Sequence, residues 1–175
     1  MLAFNMWMFG EGSLHVMAPD FEDATVSVDG QELATLSPGQ HRTIDLAQGA
    51  HTVTLTTASG ATVTHELDVS SGFWQQFTPV EGQCVAVVEA TDYFYTGEEN
   101  AAGLSPLPTL EERHRGPFDV SSSYYYSVDA LPSTINEDTT VRLVQNIPCE
   151  MMELSSKEIV VGYLGWEGYE PEGWF

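Results

Sequence analysis

Between residues 24 and 69 apolar and polar side chains alternate almost without interruption, and each interruption is a turn signal. A repeat of two is the signature of a half-buried strand, so this stretch constrains the fold more than any other. Ala24-Thr-Val-Ser-Val28 leads into Asp29-Gly30, a pair that tolerates the two positive φ angles of a type I′ turn. That turn sets Val26 opposite Leu33. Ser37-Pro38-Gly39-Gln40 has proline where φ is preset near −65° and glycine where φ is positive, the pattern of a type II turn. A third strand, His41–Leu46, turns at Ala47-Gln-Gly49-Ala50 into a fourth, His51–Thr57. The three-residue loop Ala58-Ser59-Gly60 then registers Leu55 opposite Val63 and Val53 opposite His65, with the odd positions of 61–69 pointing inward.

Beyond residue 70 further strands are expected at Trp74–Val80, Cys84–Phe94, Ser122–Val128, Thr139–Ile147 and Glu158–Leu164. Val85-Ala-Val-Val88 is a continuous apolar run, which predicts burial on both faces. From 95 to 120 Gly97, Gly103, Pro106, Pro108, Gly116 and Pro117 break every period. This stretch reads as one long irregular loop whose only regular piece is a helical turn at Leu110–Arg115, capped by Thr109. Many short strands at close spacing predict a mainly β fold, an antiparallel β-sandwich of Ig-like type. The expected layout is one domain over 1–164 with a soft internal boundary near 95, followed by an aromatic, acidic tail over 165–175.

Charge narrows the function. The 175 residues carry 26 Asp+Glu and 5 Lys+Arg, an excess of 26 − 5 = 21 negative charges. The cations Arg42, Arg113, Arg115, Arg142 and Lys157 form no basic stripe, so direct nucleic-acid binding is disfavoured and an anionic bilayer would repel the surface. A protein partner should be basic or neutral. No apolar run reaches the length of a membrane-spanning helix. The apolar opening, Met1–Phe9, has no basic residue before it and fails as a signal peptide, which favours the cytoplasm unless a leader was removed. Cys84 and Cys149 are compatible with a disulfide in an oxidising compartment or with two buried thiols.

Val28-Asp29-Gly30, Ser37-Pro38-Gly39 and Gln48-Gly49-Ala50-His51-Thr52-Val53-Thr54-Leu55 together resemble PEGA-type domains, small β-sandwich modules with a V-D-G turn and a later G-x-H-x-V-x-L strand. The likeness covers residues 20 to 70. It departs where Ala34-Thr-Leu-Ser-Pro38 replaces the family's Gly-x-Thr-Pro. The resemblance implies a non-catalytic surface or accessory module, often extracytoplasmic, and supplies no catalytic residue.

Candidate chemistry is sparse. His51 and His65 fall on one face of adjacent strands, but zinc needs three or four ligands and a third is not evident. Asp20, Glu22 and Asp23, and separately Asn136, Glu137 and Asp138, gather hard oxygen donors of the kind calcium takes, without EF-hand spacing. A Gly-x-Ser-x-Gly nucleophile motif is absent, and no cofactor is expected beyond calcium. The remaining signal is contact surface. Tyr124 and Tyr126 share one face of a strand, and the tail adds Trp166, Tyr169, Trp174 and Phe175 among glutamates. The expectation is therefore a non-enzymatic, strongly acidic interaction module that docks through exposed aromatics. Two alternatives are an acidic inhibitor or immunity-type protein masking a basic, nucleic-acid-binding site, and a calcium-dependent surface or carbohydrate-binding module.

Overall fold

The computed structural model describes residues 11–70, 75–77, 82–95, 106–136 and 138–167. The fold is mainly β and most strand pairs are antiparallel. The chain divides into two compact units, one of residues 1–83 with 115–120 and one of residues 84–114 with 121–175. The division falls before the soft boundary expected near 95, which lies inside the second unit.

The first unit contains two four-stranded sheets. One has the order β3(Gln31–Leu36), β2(Ala24–Val28), β5(Gly49–Thr57), β6(Thr62–Val69), antiparallel throughout. The other has the order β10(Phe118–Asp119), β7(Gln75–Phe77), β1(Glu11–Met17), β4(His41–Ala47), in which β1 and β7 run parallel. Alternation puts Leu14, Val16, Ile44 and Leu46 of one sheet and Val26, Leu36, Val53, Leu55, Leu67 and Val69 of the other into a single buried cluster. Burial of each such side chain stabilises the fold by roughly 1.5–3 kcal/mol, which is why a one-residue slip is strongly opposed.

The turns follow the expected chemistry. Asp29 (φ 51°) and Gly30 (φ 79°) form the type I′ turn. Gln40 N–H donates to Ser37 C=O at 2.9 Å with Gly39 at φ 67°, the type II geometry. Val53 faces His65 and Leu55 faces Val63. Leu33 departs from its expected register. A bulge between Val26 and Ser27 on the β2–β3 pair lets Ala34, not Leu33, oppose Val26. Leu33 is the extra residue and is left 39 % exposed. Strand β1 adds to the expected set, its Ser13-Leu14-His15-Val16 alternating as a strand should, and β4 pairs with it rather than with β5.

The second unit is built on the sheet β11(Tyr124–Tyr125), β12(Arg142–Pro148), β8(Gln83–Glu89), β9(Thr109–His114). Val85, Ala86, Val87 and Val88 are each fully buried, as a run apolar on both faces requires. Cys84 is bonded to Cys149, joining the start of β8 to the residue after β12. The pair sits in a cluster with Ala86, Ile147, Met152 and Ile159.

Four expectations fail here. Leu110–Arg115 does not make a helical turn, because Thr109–His114 pairs antiparallel with β8 and the neighbouring strand overrides the helical preference of Leu-Glu-Glu-Arg. The supposed irregular loop therefore contains β9 and β10. Thr91–Phe94, expected as the end of a strand, forms one short helical turn, α1. Glu158–Tyr163, expected as a last strand from its β-branched Ile-Val-Val, is a π-helical segment. Ser155 starts it: its N–H and hydroxyl both donate to Glu158 Oε2, at 2.8 and 2.7 Å, and Glu158 N–H donates back to Ser155 Oγ at 3.3 Å. That is a capping box. Gly165 at φ 70° ends it, with Trp166 N–H donating to Val160 C=O at 3.1 Å.

Candidate interaction surface and its polar networks

A charged network of Glu111, Glu112, His114, Tyr124 and Arg142 lies in the second unit. A bulge between Val87 and Val88 on the β8–β9 pair makes Glu111 an extra residue, so it stands beside Glu112 and both carboxylates serve one network. Glu111 grips Arg142 through two bonds, Nε–Oε2 at 2.6 Å and Nη2–Oε1 at 3.0 Å. This planar fork is the strong form of a charge-assisted bond, and it holds the Arg142 guanidinium above its ordinary range. Arg142 also donates to Ser123 Oγ at 3.1 Å and lies 5.7 Å from the centre of the Tyr124 ring. Glu112 receives His114 Nε2 at 2.7 Å and the Tyr124 hydroxyl at 3.4 Å. The network ties β9 to β11 and β12 across β8, and each carboxylate in it already has a donor.

Tyr124 and Tyr126 are thus not freely projecting rings. Both are half-buried, and burial pushes both phenols above their usual range, with the negative Glu112 adding to the effect at Tyr124. Only Tyr124 and Tyr125 form a strand, because the pairing with β12 is two residues long. Tyr125 takes the opposite face and packs with Ala90, Ile135, Val141 and Leu143. Trp166 belongs to that cluster too, edge-on to Tyr93 at 4.8 Å and to Phe94 at 5.7 Å between ring centres. The signal for this aromatic trio is Tyr93-Phe94, which the strand expectation absorbs. Tyr169, Trp174 and Phe175 lie outside the described residues.

The calcium candidates are engaged locally. Glu22 anchors the 58–60 loop, accepting from Ser59 N–H at 2.9 Å and Ser59 Oγ at 3.2 Å. Asn136 Oδ1 accepts from Asp138 N–H and Thr139 Oγ1, both at 3.0 Å, an Asx turn. Asp20 and Asp23 are exposed as residues, and partial desolvation of the Asp20 carboxyl raises its pKa. Glu137 lies outside the described residues. Among the described residues no group of three or more His, Cys, Asp or Glu side chains is placed to hold a metal.

His51 does not pair with His65 as a metal ligand would. Its Nδ1 bonds Asp29 Oδ2 and its Nε2 bonds the Ala47 carbonyl, each at 2.8 Å. Both partners are acceptors, so both ring nitrogens donate and the ring is an imidazolium, its pKa raised chiefly by the Asp29 bond. Asp29 Oδ1 accepts from Thr52 N–H at 2.9 Å, and Asp29 N–H donates to Thr52 C=O at 2.8 Å. These bonds hold the Asp29 carboxyl below its usual range, the Thr52 amide contributing most. The Val-Asp-Gly turn and the Gly-x-His segment are thereby one clamp.

A second histidine pair behaves oppositely. His15 on β1 and His41 on β4 stack with ring centres 5.2 Å apart, and His15 Nδ1 lies within hydrogen-bond distance of His41 Nε2 at 3.0 Å. Burial lowers both pKa values, His41 to about 4, where the neighbouring His15 charge also contributes.

The outer face of the β3-β2-β5-β6 sheet is hydroxyl-rich. Thr25 faces Thr35 at 3.4 Å, Thr54 faces Thr64 at 3.2 Å, Thr56 faces Thr62 at 3.3 Å, and Thr52 Oγ1 donates to Glu66 at 3.0 Å. Such cross-strand pairs stiffen a sheet at roughly 0.2–1 kcal/mol each.

No protein-family model, no curated protein and no solved structure matches this chain. Among the described residues no helix is long and apolar enough to cross a membrane.

Proposed function

We propose that this protein is a non-enzymatic acidic interaction module that works in an oxidising compartment and recognises a basic protein surface. The observation that carries the reading is the fate of the cations. Arg142 is held by Glu111, and Arg113 donates to the Met152 and Leu154 carbonyls at 2.8 and 2.7 Å. Two of the 5 Lys+Arg are thus turned to internal bonds, while the chain as a whole carries an excess of 21 negative charges. Such a field steers association with positive partners. The Cys84–Cys149 bond supports the oxidising compartment. The Asp29–His51–Thr52 clamp supports a PEGA-like first unit, because it gives the two resembling motifs one shared physical purpose.

Because the Tyr124 and Trp166 rings are engaged in packing, charge rather than aromatic docking leads the recognition, and the module fits the role of masking a basic site. The test is affinity capture of a partner from the native organism at low and high salt, repeated with Tyr124→Ala and Trp166→Ala. Capture that collapses at high salt and survives both substitutions supports the reading. Salt-independent capture that fails with either substitution favours docking by aromatics, and retention of neither basic nor neutral proteins removes the proposal.

A further inference from the structure

Strand β6 ends its sheet, and among the described residues no strand pairs with its outer edge. The Thr57 N–H donates to the Ala61 carbonyl at 2.9 Å across the hairpin. Bonded and non-bonded pairs alternate along an antiparallel ladder. The register then assigns the main-chain bonds to Val63, His65, Leu67 and Val69, opposite Leu55, Val53, His51 and Gly49. The N–H and C=O groups of Thr64, Glu66 and Asp68 therefore point away from β5, and among the described residues no strand lies beyond them.

The other edges differ. Strands β3 and β9 carry bulges, β10 and β11 are two residues long, and β4 carries Arg42, a cation that would repel a basic strand. Strand β6 is 8 residues long, keeps an unbroken register and contains neither proline nor lysine. Long edges in regular register template a further strand. Val63, although it points inward, is only partly buried, so an added strand would complete its cover.

Resting on the acidic-module reading, we infer that the β6 edge is a docking edge for an extended segment of a basic partner, added as a fifth strand with apolar and basic residues alternating. Charge selects this occupant. Glu66 and Asp68 stand exposed on the solvent side of β6, where lysines or arginines two apart in the incoming strand would face them. A second copy would bring its own 21 excess negative charges and its own acids against this edge. A partner strand would gain backbone bonds for affinity and the alternation for specificity.

The probe is a blocked peptide, about the length of β6, alternating valine and lysine; its control has the same composition with valines and lysines in two blocks. The full chain is titrated with each by calorimetry, and amide exchange is followed by NMR. The alternating peptide is expected to bind about tenfold more tightly than its control and to slow exchange at Thr64, Glu66 and Asp68. Thr64→Pro removes one outward N–H without removing a bond to β5, and should weaken binding by about tenfold. Glu66→Lys with Asp68→Lys should abolish the preference for lysine. If Thr64→Pro fails to fold, the alternating peptide N-methylated along its docking edge makes the same test from the partner's side, with the same loss expected. Equal, salt-sensitive binding of both peptides with no change in edge exchange overturns the docking edge and leaves the acidic module standing. Binding of neither overturns both.

Discussion

The two units are held together by different means. The first rests on ladders and one shared apolar cluster, in which every inward residue from Leu14 to Val69 follows the period-two rule. The second has a single four-stranded sheet, and it relies on cross-links: the Cys84–Cys149 bond, the Arg113 clasp on Met152 and Leu154, and the Glu111–Arg142 fork. Regular alternation secures a fold through many equivalent contacts. Where alternation lapses, a few specific bonds carry the same duty, and each one matters more.

The contrast makes graded predictions. Replacing Cys84 and Cys149 by serine should have the largest effect. A bond closing a separation of 65 residues restricts the unfolded chain by about 4 kcal/mol. Hydrogen exchange should show loss of protection concentrated in β8 and β12 while β5 and β6 keep theirs; uniform loss would mean that the units do not differ as described. Leu55→Ala, in the first unit's cluster, should cost about 3 kcal/mol in a denaturant melt and weaken protection across both of that unit's sheets. A smaller loss, about 1 kcal/mol, is expected for Ser155→Ala, which removes the hydroxyl of the capping box; it should lower helical ellipticity and leave the first unit's melt unchanged.

The smallest effect separates two histidine environments within the first unit. His15 and His41 have lowered pKa values, so the unfolded chain binds more protons than the folded one below the ordinary value of 6.5. Their contribution is complete above that value and is lost as pH falls toward about 4. His51 has a raised pKa, so its contribution is complete below 6.5 and is lost as pH rises through its folded value. His51→Gln should flatten the alkaline side of the stability profile only, and His15→Gln with His41→Gln the acid side only. Titration of the three imidazoles by NMR checks the order directly, with His51 holding its proton to the highest pH.

Legibility follows the same division. The type I′ turn, the type II turn and the Leu55–Val63 register are readable because each depends on residues within one hairpin. The bulge that displaces Leu33 is not, since nothing local in Glu32-Leu33-Ala34 marks it. In the second unit, the Ser155-Ser-Lys-Glu158 capping box and Gly165 are present as signals, yet the β-branched Ile159-Val-Val161 outweighs them in a local reading. Glu111, Glu112, His114 and Arg142 cannot be grouped from sequence, because 26 acids offer too many pairs and the grouping depends on a bulge.

Local chemistry alone determined the β character, the turns and the acidic surface, because φ preferences, period-two burial and net charge are properties of neighbouring residues or of simple counts. Only the tertiary structure decided that β4 leaves β5 to pair with β1, that Leu-Glu-Glu-Arg extends beside β8, and that Asp29 clamps His51. Each of those outcomes sets the free energy gained from a long-range partner against a local preference of about 1 kcal/mol or less, and the partner contributes more.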